Sequence, residues 1–173
     1  MTTTILENII FGEKFDKEKL KRALKMAQFH EDISIFEKGV YTVCAELGMN
    51  LSGGQKARLS LARTFYQNRD IMVMDDPLRA LDAKLTRKIL KKSIVKKLNE
   101  KTRIMTSNDP NDAKHADRVI ILKDGFIAYN GEYRREEIEK YFSTEYLEKK
   151  KAVLLPKSKL SIIFSNPFNR KIS

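Results

Sequence analysis

The chain has very little cysteine and no long apolar run. Its 173 residues include a single cysteine, Cys44, which cannot form an internal disulfide. No apolar run approaches the roughly 20 residues that span a bilayer, and the N-terminus lacks the charged-then-apolar pattern of a secretion signal. We expect one domain of ordinary size in a reducing compartment, with Cys44 as a small buried apolar residue.

Glycine is scarce as well, and its distribution excludes one kind of phosphate site. No glycine is followed by Lys-Ser or Lys-Thr, so the loop G-x-x-x-x-G-K-[ST], whose lysine reaches β- and γ-phosphates, is absent from this sequence. A self-contained nucleotide cradle of that kind is therefore not expected. The seven glycines are Gly12, Gly39, Gly48, Gly53, Gly54, Gly125 and Gly131.

Acidic residues are absent from the C-terminal tail, and this accounts for most of the net charge of +11. The segment 149–173 holds seven basic residues and no acidic one, which leaves +4 for the rest of the chain. A basic surface attracts nucleic-acid phosphates, but a basic tail alone is weak support, and no nucleic-acid partner is expected. The tail fits either a linker or a segment lying on an anionic leaflet.

Periodicity predicts alternating helices and strands, which together favour an α/β sheet with helices outside. Asp16 is a plausible N-cap for the first helix, and Lys123-Asp124-Gly125 is a strong hairpin signal. The predicted helices cover residues 17–28, 57–67, 84–98 and 134–147; the predicted strands cover 71–75, 102–107, 118–122 and 126–129, with a polar turn at 108–110.

A Ser-Gly-Gly run opens one of these helices, in the stretch from Met49 to Arg58. Backbone N–H groups at a helix start have no intrahelical partners, and two glycines let a phosphate come close to them. Ser52 is able to cap the helix and to donate its hydroxyl to an anion. We predict an anion site here; an ordinary turn is the alternative.

Two carboxylates follow an apolar strand farther along the chain. The four residues Ile71-Met72-Val73-Met74 predict a fully buried strand, and Asp75 and Asp76 come directly after it. Ligands bind at the carboxyl ends of strands in open parallel sheets, and Mg²⁺ usually takes one or two carboxylates plus nucleotide oxygens. The pattern therefore predicts a magnesium-nucleotide site.

Together these segments resemble the nucleotide-binding domain of ATP-binding-cassette (ABC) proteins. Leu51-Ser52-Gly53-Gly54-Gln55 matches the family's signature motif letter for letter, the strand ending at Asp75 is similar to its Walker B strand, and Ala80-Leu81-Asp82 is similar to its D-loop. The stretch Asn8 to Gly12 and the pair Asp75-Asp76 before Pro77 resemble the C-type transporters, which include the multidrug-resistance-associated proteins.

The resemblance covers about Thr4 to Gly131 and implies a partial P-loop NTPase (ABC ATPase) domain. Its expected architecture has parallel core strands, a helical signature subdomain, and a C-terminal hairpin and helix. The expected division is 1–70 for the signature subdomain, 71–148 for the Walker B strand, D-loop, switch region and the rest of the core, and 149–173 for a basic linker or tail. Because the glycine-lysine loop is missing, we interpret the sequence as a C-terminal fragment lacking Walker A, inactive alone.

The resemblance also implies roles for individual residues at an ATP site formed between two domains. Asp75 is expected to coordinate Mg²⁺, and Asp76 stands where active members usually place a glutamate that polarises water, one methylene longer. Ser107 aligns with the switch histidine, with a one-residue uncertainty in register. Asp82 is expected to help couple the two sites. The motif residues expected to contact the γ-phosphate held by the partner are Leu51, Ser52, Gly53, Gly54 and Gln55.

The implied function is ATP binding at a dimer interface, with hydrolysis coupled to transmembrane transport. ATP and Mg²⁺ are the implied cofactors; a second nucleotide-binding domain and the transmembrane domains of a transporter are the implied partners, at the cytoplasmic face of a membrane. Two alternatives stay open: a non-hydrolytic regulatory half, favoured by Asp76 and Ser107, and a soluble ABC protein acting on ribosomes or DNA, favoured only by the basic charge.

Overall fold

The computed structural model describes residues 3–45, 50–141 and 162–165. The chain forms two compact units, Met1–Asp70 with Pro77–Asn99, and Ile71–Asp76 with Glu100–Ser173. This differs from the expected division after residue 70, because Pro77–Asn99 groups with the first unit. Met49 at the start of the signature stretch, the predicted helix beyond residue 141 and most of the basic tail lie outside the described residues.

The first unit is mainly helical and is built around one long helix. Helix α4 is contacted by α1 and by α2, and a short antiparallel ladder joins strands β1 and β2. The elements are β1 (Thr3–Thr4), α1 (Ile5–Ile10), α2 (Lys17–Met26), α3 (His30–Ile35), a 3₁₀ turn (Gly39–Tyr41), β2 (Val43–Cys44), α4 (Gly53–Gln67), α5 (Ala83–Ile89) and a π-helical segment (Leu90–Lys97).

Helix α4 begins and ends where local chemistry dictates. Ser52 caps its start, and Asn68 ends it in the left-handed conformation, at φ 50°, which asparagine tolerates better than most residues. The apolar positions predicted from the sequence are buried, so one face of the helix carries the core of this unit. The buried residues of α4 are Leu59, Leu61, Ala62, Phe65 and Tyr66.

The other predicted helices of this unit are confirmed with changes at their ends. Asp16 caps α2 by accepting a hydrogen bond from the Lys19 amide, as predicted. The predicted helix 84–98 is helical throughout 83–97, but its hydrogen-bond pattern changes from α to π at Leu90. Buried Ser93 donates its hydroxyl to the Met26 carbonyl at 2.7 Å, which ties this segment to the end of α2.

The second unit is a five-stranded sheet with the order β3-β4-β7-β5-β6. Only the pair β3 and β4 is parallel within the described residues, and the other pairs are antiparallel, so the expectation of parallel core strands holds for that pair alone. The elements are β3 (Ile71–Met74), β4 (Thr102–Thr106), α6 (Pro110–Ala113), β5 (Arg118–Lys123), β6 (Phe126–Gly131), α7 (Arg135–Glu139) and β7 (Ile162–Ser165).

The predicted hairpin between β5 and β6 is confirmed. Lys123 pairs with Phe126, so the loop holds two residues. Those residues, Asp124 and Gly125, both have positive φ, at 51° and 82°. This is the backbone of a type I′ turn, whose twist matches the flanking strands, and Asp-Gly is a preferred sequence for it.

The prediction that Ile71 to Met74 is fully buried is wrong. Met72 and Met74 are buried, whereas Ile71 and Val73 are 63% and 73% exposed. The physical reason is that successive side chains of a strand point to opposite faces of the sheet, and the face that carries Ile71 and Val73 is not covered by other described residues.

Two further predicted segments, the turn at 108–110 and the helix 134–147, are found with changes. The predicted turn at 108–110 starts the short helix α6, which Asp109 caps and in which Pro110 occupies the first turn. Helix α7 confirms the start of the predicted helix 134–147 and buries Ile138. Tyr141 donates its hydroxyl to the Ala128 carbonyl, while Phe142, also predicted to pack inward, lies outside the described residues.

Tyr66 provides a test of how α4 holds the loop before α2. The side chain is fully buried, and its hydroxyl donates to the Lys14 carbonyl at 2.7 Å and accepts from the Asp16 amide at 2.9 Å. Tyr66→Phe removes both bonds without leaving a cavity, so it should lower the free energy of unfolding by about 1–2 kcal/mol. Urea denaturation measures this.

The matched control is Tyr41→Phe, because the Tyr41 side chain is largely exposed. It should change the free energy of unfolding by less than about 0.5 kcal/mol. Equal effects of the two substitutions would contradict the structural role assigned to the Tyr66 hydroxyl.

Candidate functional site

The start of α4 carries a reciprocal pair of hydrogen bonds. Ser52 has extended backbone geometry, and its Oγ accepts from the Gln55 amide N–H at 3.2 Å. The Gln55 side-chain Oε1 in turn accepts from the Ser52 amide N–H at 2.9 Å. This is a capping box. The Ser52 hydroxyl acts as the acceptor in it, so its proton remains to be donated to another group.

The two glycines of the motif have different surroundings. A side chain at Gly53 would meet nothing within 4 Å, so the helix start is open there. A Cβ at Gly54 would lie 3.4 Å from the Ala80 carbonyl oxygen and 3.5 Å from Arg58 Nη1. The signature segment at Gly54 therefore lies close to the turn that contains Ala80.

Asp82 ends that turn and caps α5. Its carboxylate accepts from the amide N–H groups of Lys84 and Leu85, each at 3.0 Å. The Leu85 hydrogen bond is the main reason that the pKa of Asp82 lies below its usual range, and the Lys84 bond and the positive charge of Arg58 add to it. The side chain is exposed and ionised, and its described role is that of a helix cap.

In the second unit, one threonine joins the two acids that follow β3. Thr106, the last residue of β4, donates its hydroxyl to Asp75 Oδ1 at 2.7 Å. The Thr106 hydroxyl oxygen in turn accepts from the Asp76 amide N–H at 2.8 Å. Asp76 adopts a left-handed backbone, at φ 43°, which turns the chain sharply after the strand. Asp75 and Asp76 therefore lie at the carboxyl ends of two parallel strands, as predicted.

Asn108 also belongs to this group, and the sequence analysis missed it. Its Nδ2 donates to Asp76 Oδ2 at 3.2 Å. In the structure Arg103, Met105 and Ser107 are buried, whereas Thr106 and Asn108 form hydrogen bonds with the acids. The sequence held no clear signal for this, because Asn108 lies beyond the predicted strand 102–107 and alternation alone does not show that the face with Arg103 is the buried one.

Ser107, which aligns with the family's switch histidine, points into the interior of the unit. It is buried, its hydroxyl donates to Asp112 Oδ2 at 2.6 Å, and its oxygen accepts from the Asp109 amide at 3.1 Å. Burial raises the pKa of the Asp112 carboxyl; the negative charges of Asp109 and Asp76 raise it further, against the Ser107 hydrogen bond and the charge of Lys114.

The donor set fits Mg²⁺ only in company with a nucleotide. Among the residues that the structure describes, no three or more His, Cys, Asp or Glu side chains are grouped to hold a metal ion. Mg²⁺ is commonly held by one or two carboxylates together with phosphate oxygens and water. The exposed Asp75 carboxylate, oriented by Thr106, matches that kind of site.

Comparison with known proteins finds a family match and similar proteins. Residues 1–79 match the sequence model of the ABC transporter family. ATP-binding cassette sub-family C member 4 of Homo sapiens is 40% identical over 130 residues, which are 75% of this chain and 10% of that protein. Bile pigment transporter 1 of Saccharomyces cerevisiae is 40% identical over 136 residues, 77% of this chain and 9% of that protein.

ABC transporter C family member 5 of Arabidopsis thaliana is 40% identical over 129 residues, 75% of this chain and 8% of that protein. The chain thus spans about a tenth of the length of the curated relatives that it matches. No helix within the described ranges is long and apolar enough to cross a membrane. The chain belongs to the ABC transporter family and is similar to the nucleotide-binding domains of its C-type members.

Proposed function

We propose that this chain supplies the signature half of an ATP site that closes between two nucleotide-binding domains of a transporter. The observation that carries the proposal is the start of α4, where Ser52 and Gly53 are exposed and space beside Gly53 is open. The N-terminus of a 15-residue helix attracts negative charge, and its first turn contains no acidic residue. A γ-phosphate presented by a partner fits this chemistry.

Each motif residue has a role in the proposal. The Ser52 hydroxyl and the first amide N–H groups of α4, including those of Gly53 and Gly54, donate to the phosphate. Gln55 keeps the helix start in place through the capping box. Leu51 is buried and anchors the segment to the unit. The partner domain holds the rest of the nucleotide with its own glycine-lysine loop.

The acids after β3 serve a second site in the proposal. Asp75 holds Mg²⁺, which neutralises phosphate charge, and Asp76 takes the position from which water is polarised. The Ser107 hydroxyl, predicted to contact the γ-phosphate, already donates to Asp112. We therefore assign that contact to Asn108, which is exposed and hydrogen-bonded to Asp76.

The consequence is an asymmetric division of labour. Asp76 is shorter than glutamate, and neither Asn108 nor Ser107 carries the positive charge of an imidazolium, so hydrolysis at this site is slow. The signature segment completes the faster site on the partner, and Asp82 helps couple the two. The complete protein couples ATP hydrolysis to transport at the cytoplasmic face of a membrane, in keeping with the relatives that are named as transporters.

Ser52→Asp separates helix capping from phosphate binding. Aspartate caps a helix as well as serine, so the free energy of unfolding should stay within about 0.5 kcal/mol of wild type. Its carboxylate cannot donate to a phosphate and repels it, so ATP-dependent association with an intact family nucleotide-binding domain that carries the glycine-lysine loop should weaken by about tenfold or more. Sedimentation with and without ATP measures this.

The control is Ser60→Asp, which adds the same charge at an exposed position of α4 away from its start. It should leave the ATP-dependent association unchanged. The proposed site would be ruled out if Ser52→Asp associated as strongly as wild type, or if both variants lost the same amount of ATP-dependent association.

Asp112→Asn tests whether Ser107 belongs to a buried structural pair. The raised pKa means that folded Asp112 keeps its proton at a pH where the unfolded carboxyl has lost it, so this group contributes most to stability in acid. Asparagine accepts the Ser107 hydroxyl but does not titrate in this range. The free energy of unfolding of wild type, minus that of Asp112→Asn, should therefore fall as pH rises from about 4 towards 7.

Urea denaturation at a series of pH values measures that difference. Asp117→Asn, at an exposed position, controls for the loss of one negative charge. A wild-type advantage over Asp112→Asn that stayed constant or grew with pH would contradict the assignment.

A further inference from the structure

We propose that Asp32 is a positioning residue for the signature segment, acting by fixing the side-chain orientation of Gln55. Asp32 lies on α3, twenty-three residues before Gln55, and neither the motif nor the apolar pattern of the sequence singles it out. Its effect on the conformation of Ser52 follows from the contacts below. Its effect on nucleotide binding rests on the function proposed above.

The Asp32 carboxylate is held by two side chains of α4. Its Oδ2 accepts from Arg58 Nε at 2.8 Å, and its Oδ1 accepts from Arg58 Nη2 at 2.7 Å. The same Oδ1 accepts from Gln55 Nε2 at 3.2 Å. The Asp32 and Arg58 side chains are only 13% and 16% exposed, so this bidentate ion pair is shielded from water and holds the carboxylate in one place.

A fixed carboxylate dictates which way the Gln55 amide points. A carboxylate only accepts hydrogen bonds, so it selects the NH₂ end of the glutamine amide. The oxygen end then faces the Ser52 amide N–H, from which it accepts at 2.9 Å. With the amide reversed, NH₂ would face N–H and the oxygen would face the carboxylate, and both hydrogen bonds would be lost.

Gln55 and Arg58 connect Asp32 to the groups at the start of α4. The Gln55 backbone N–H donates to Ser52 Oγ, which completes the capping box. Arg58, held by the same carboxylate, places Nη1 beside Gly54. Asp32 thus supports both sides of the Ser-Gly-Gly segment while contacting neither Ser52 nor the glycines in any described hydrogen bond.

The test removes the acceptor at position 32 and then makes the side chain at position 55 indifferent to its orientation. Asp32→Ala removes the acceptor that selects the NH₂ end of Gln55, so the Ser52 amide should exchange with deuterium about fivefold faster or more. Adding Gln55→Glu places an acceptor at both ends of the side chain, so the Ser52 amide keeps its partner in either orientation, and glutamate is equally suited to the capping box. The double variant should return the Ser52 exchange rate towards that of wild type.

Two internal comparisons make every outcome decisive. Asp16→Asn, which keeps a good cap on α2, should leave Ser52 exchange unchanged. The Leu61 amide, in the middle of α4, reports general loss of helix stability. Selective acceleration at Ser52 that the double variant reverses supports the positioning role; equal acceleration at Leu61, no acceleration, or no reversal would overturn it.

The same variants in the ATP-dependent association assay connect positioning to binding. Asp32→Ala should weaken the association, and the double variant should not recover it, because the added carboxylate at the helix start repels a phosphate. If Ser52→Asp leaves association intact, the proposed function fails while the exchange rates still decide the role of Asp32. If Ser52→Asp weakens association and Asp32→Ala changes neither exchange nor association, the positioning role alone fails.

Discussion

The first amide groups of a helix need hydrogen-bond partners from outside the helix, and α4 meets this constraint in a selective way. The capping box satisfies the amides of Ser52 and Gln55 from within the chain, and it leaves the first amides of α4 available to an external acceptor. Helix α1 shows the contrast. It has the same box between Thr4 and Glu7, but the third residue there is a glutamate, which would repel a phosphate. A neutral glutamine closes the box on α4 without placing negative charge at the helix start.

The second unit solves a different problem, which is how to keep two neighbouring acids in defined positions at a strand end. Thr106 binds both, donating to the Asp75 carboxylate and accepting from the Asp76 backbone. This crosslink depends on the parallel pairing of β3 and β4, in which Met74 lies opposite Met105 and the two strands end together. Asn108 adds a contact to the Asp76 side chain, and Ser107 turns into the interior. Alternate residues of this segment therefore take different roles: Thr106 and Asn108 contact the acids, and Ser107 supports the fold.

The sequence was sufficient wherever short-range chemistry decides the structure. Ser52 and Asp16 cap helices, Asp124 and Gly125 form a two-residue turn, and the acids follow β3, all as their local patterns indicate. It was insufficient where distant partners decide. The exposure of Val73 depends on whether another element covers that face of the sheet, and the contacts of Asp32 depend on residues of another helix. The burial of Ser107 is also decided by packing, because the alternation in this strand does not show which of its two faces is the interior one.

The proposed function assigns different chemistry to the two units. The first carries amide and hydroxyl donors at a helix start with no acidic side chain in the first turn, which suits phosphate oxygens. The second carries carboxylates at a strand end, which suit the metal ion that accompanies phosphate. A helix start completed by Gln55 and supported by Asp32 requires nothing from those carboxylates to hold its shape. The donor half is therefore able to serve a nucleotide bound by another domain, which is what the division of an ATP site between two domains demands.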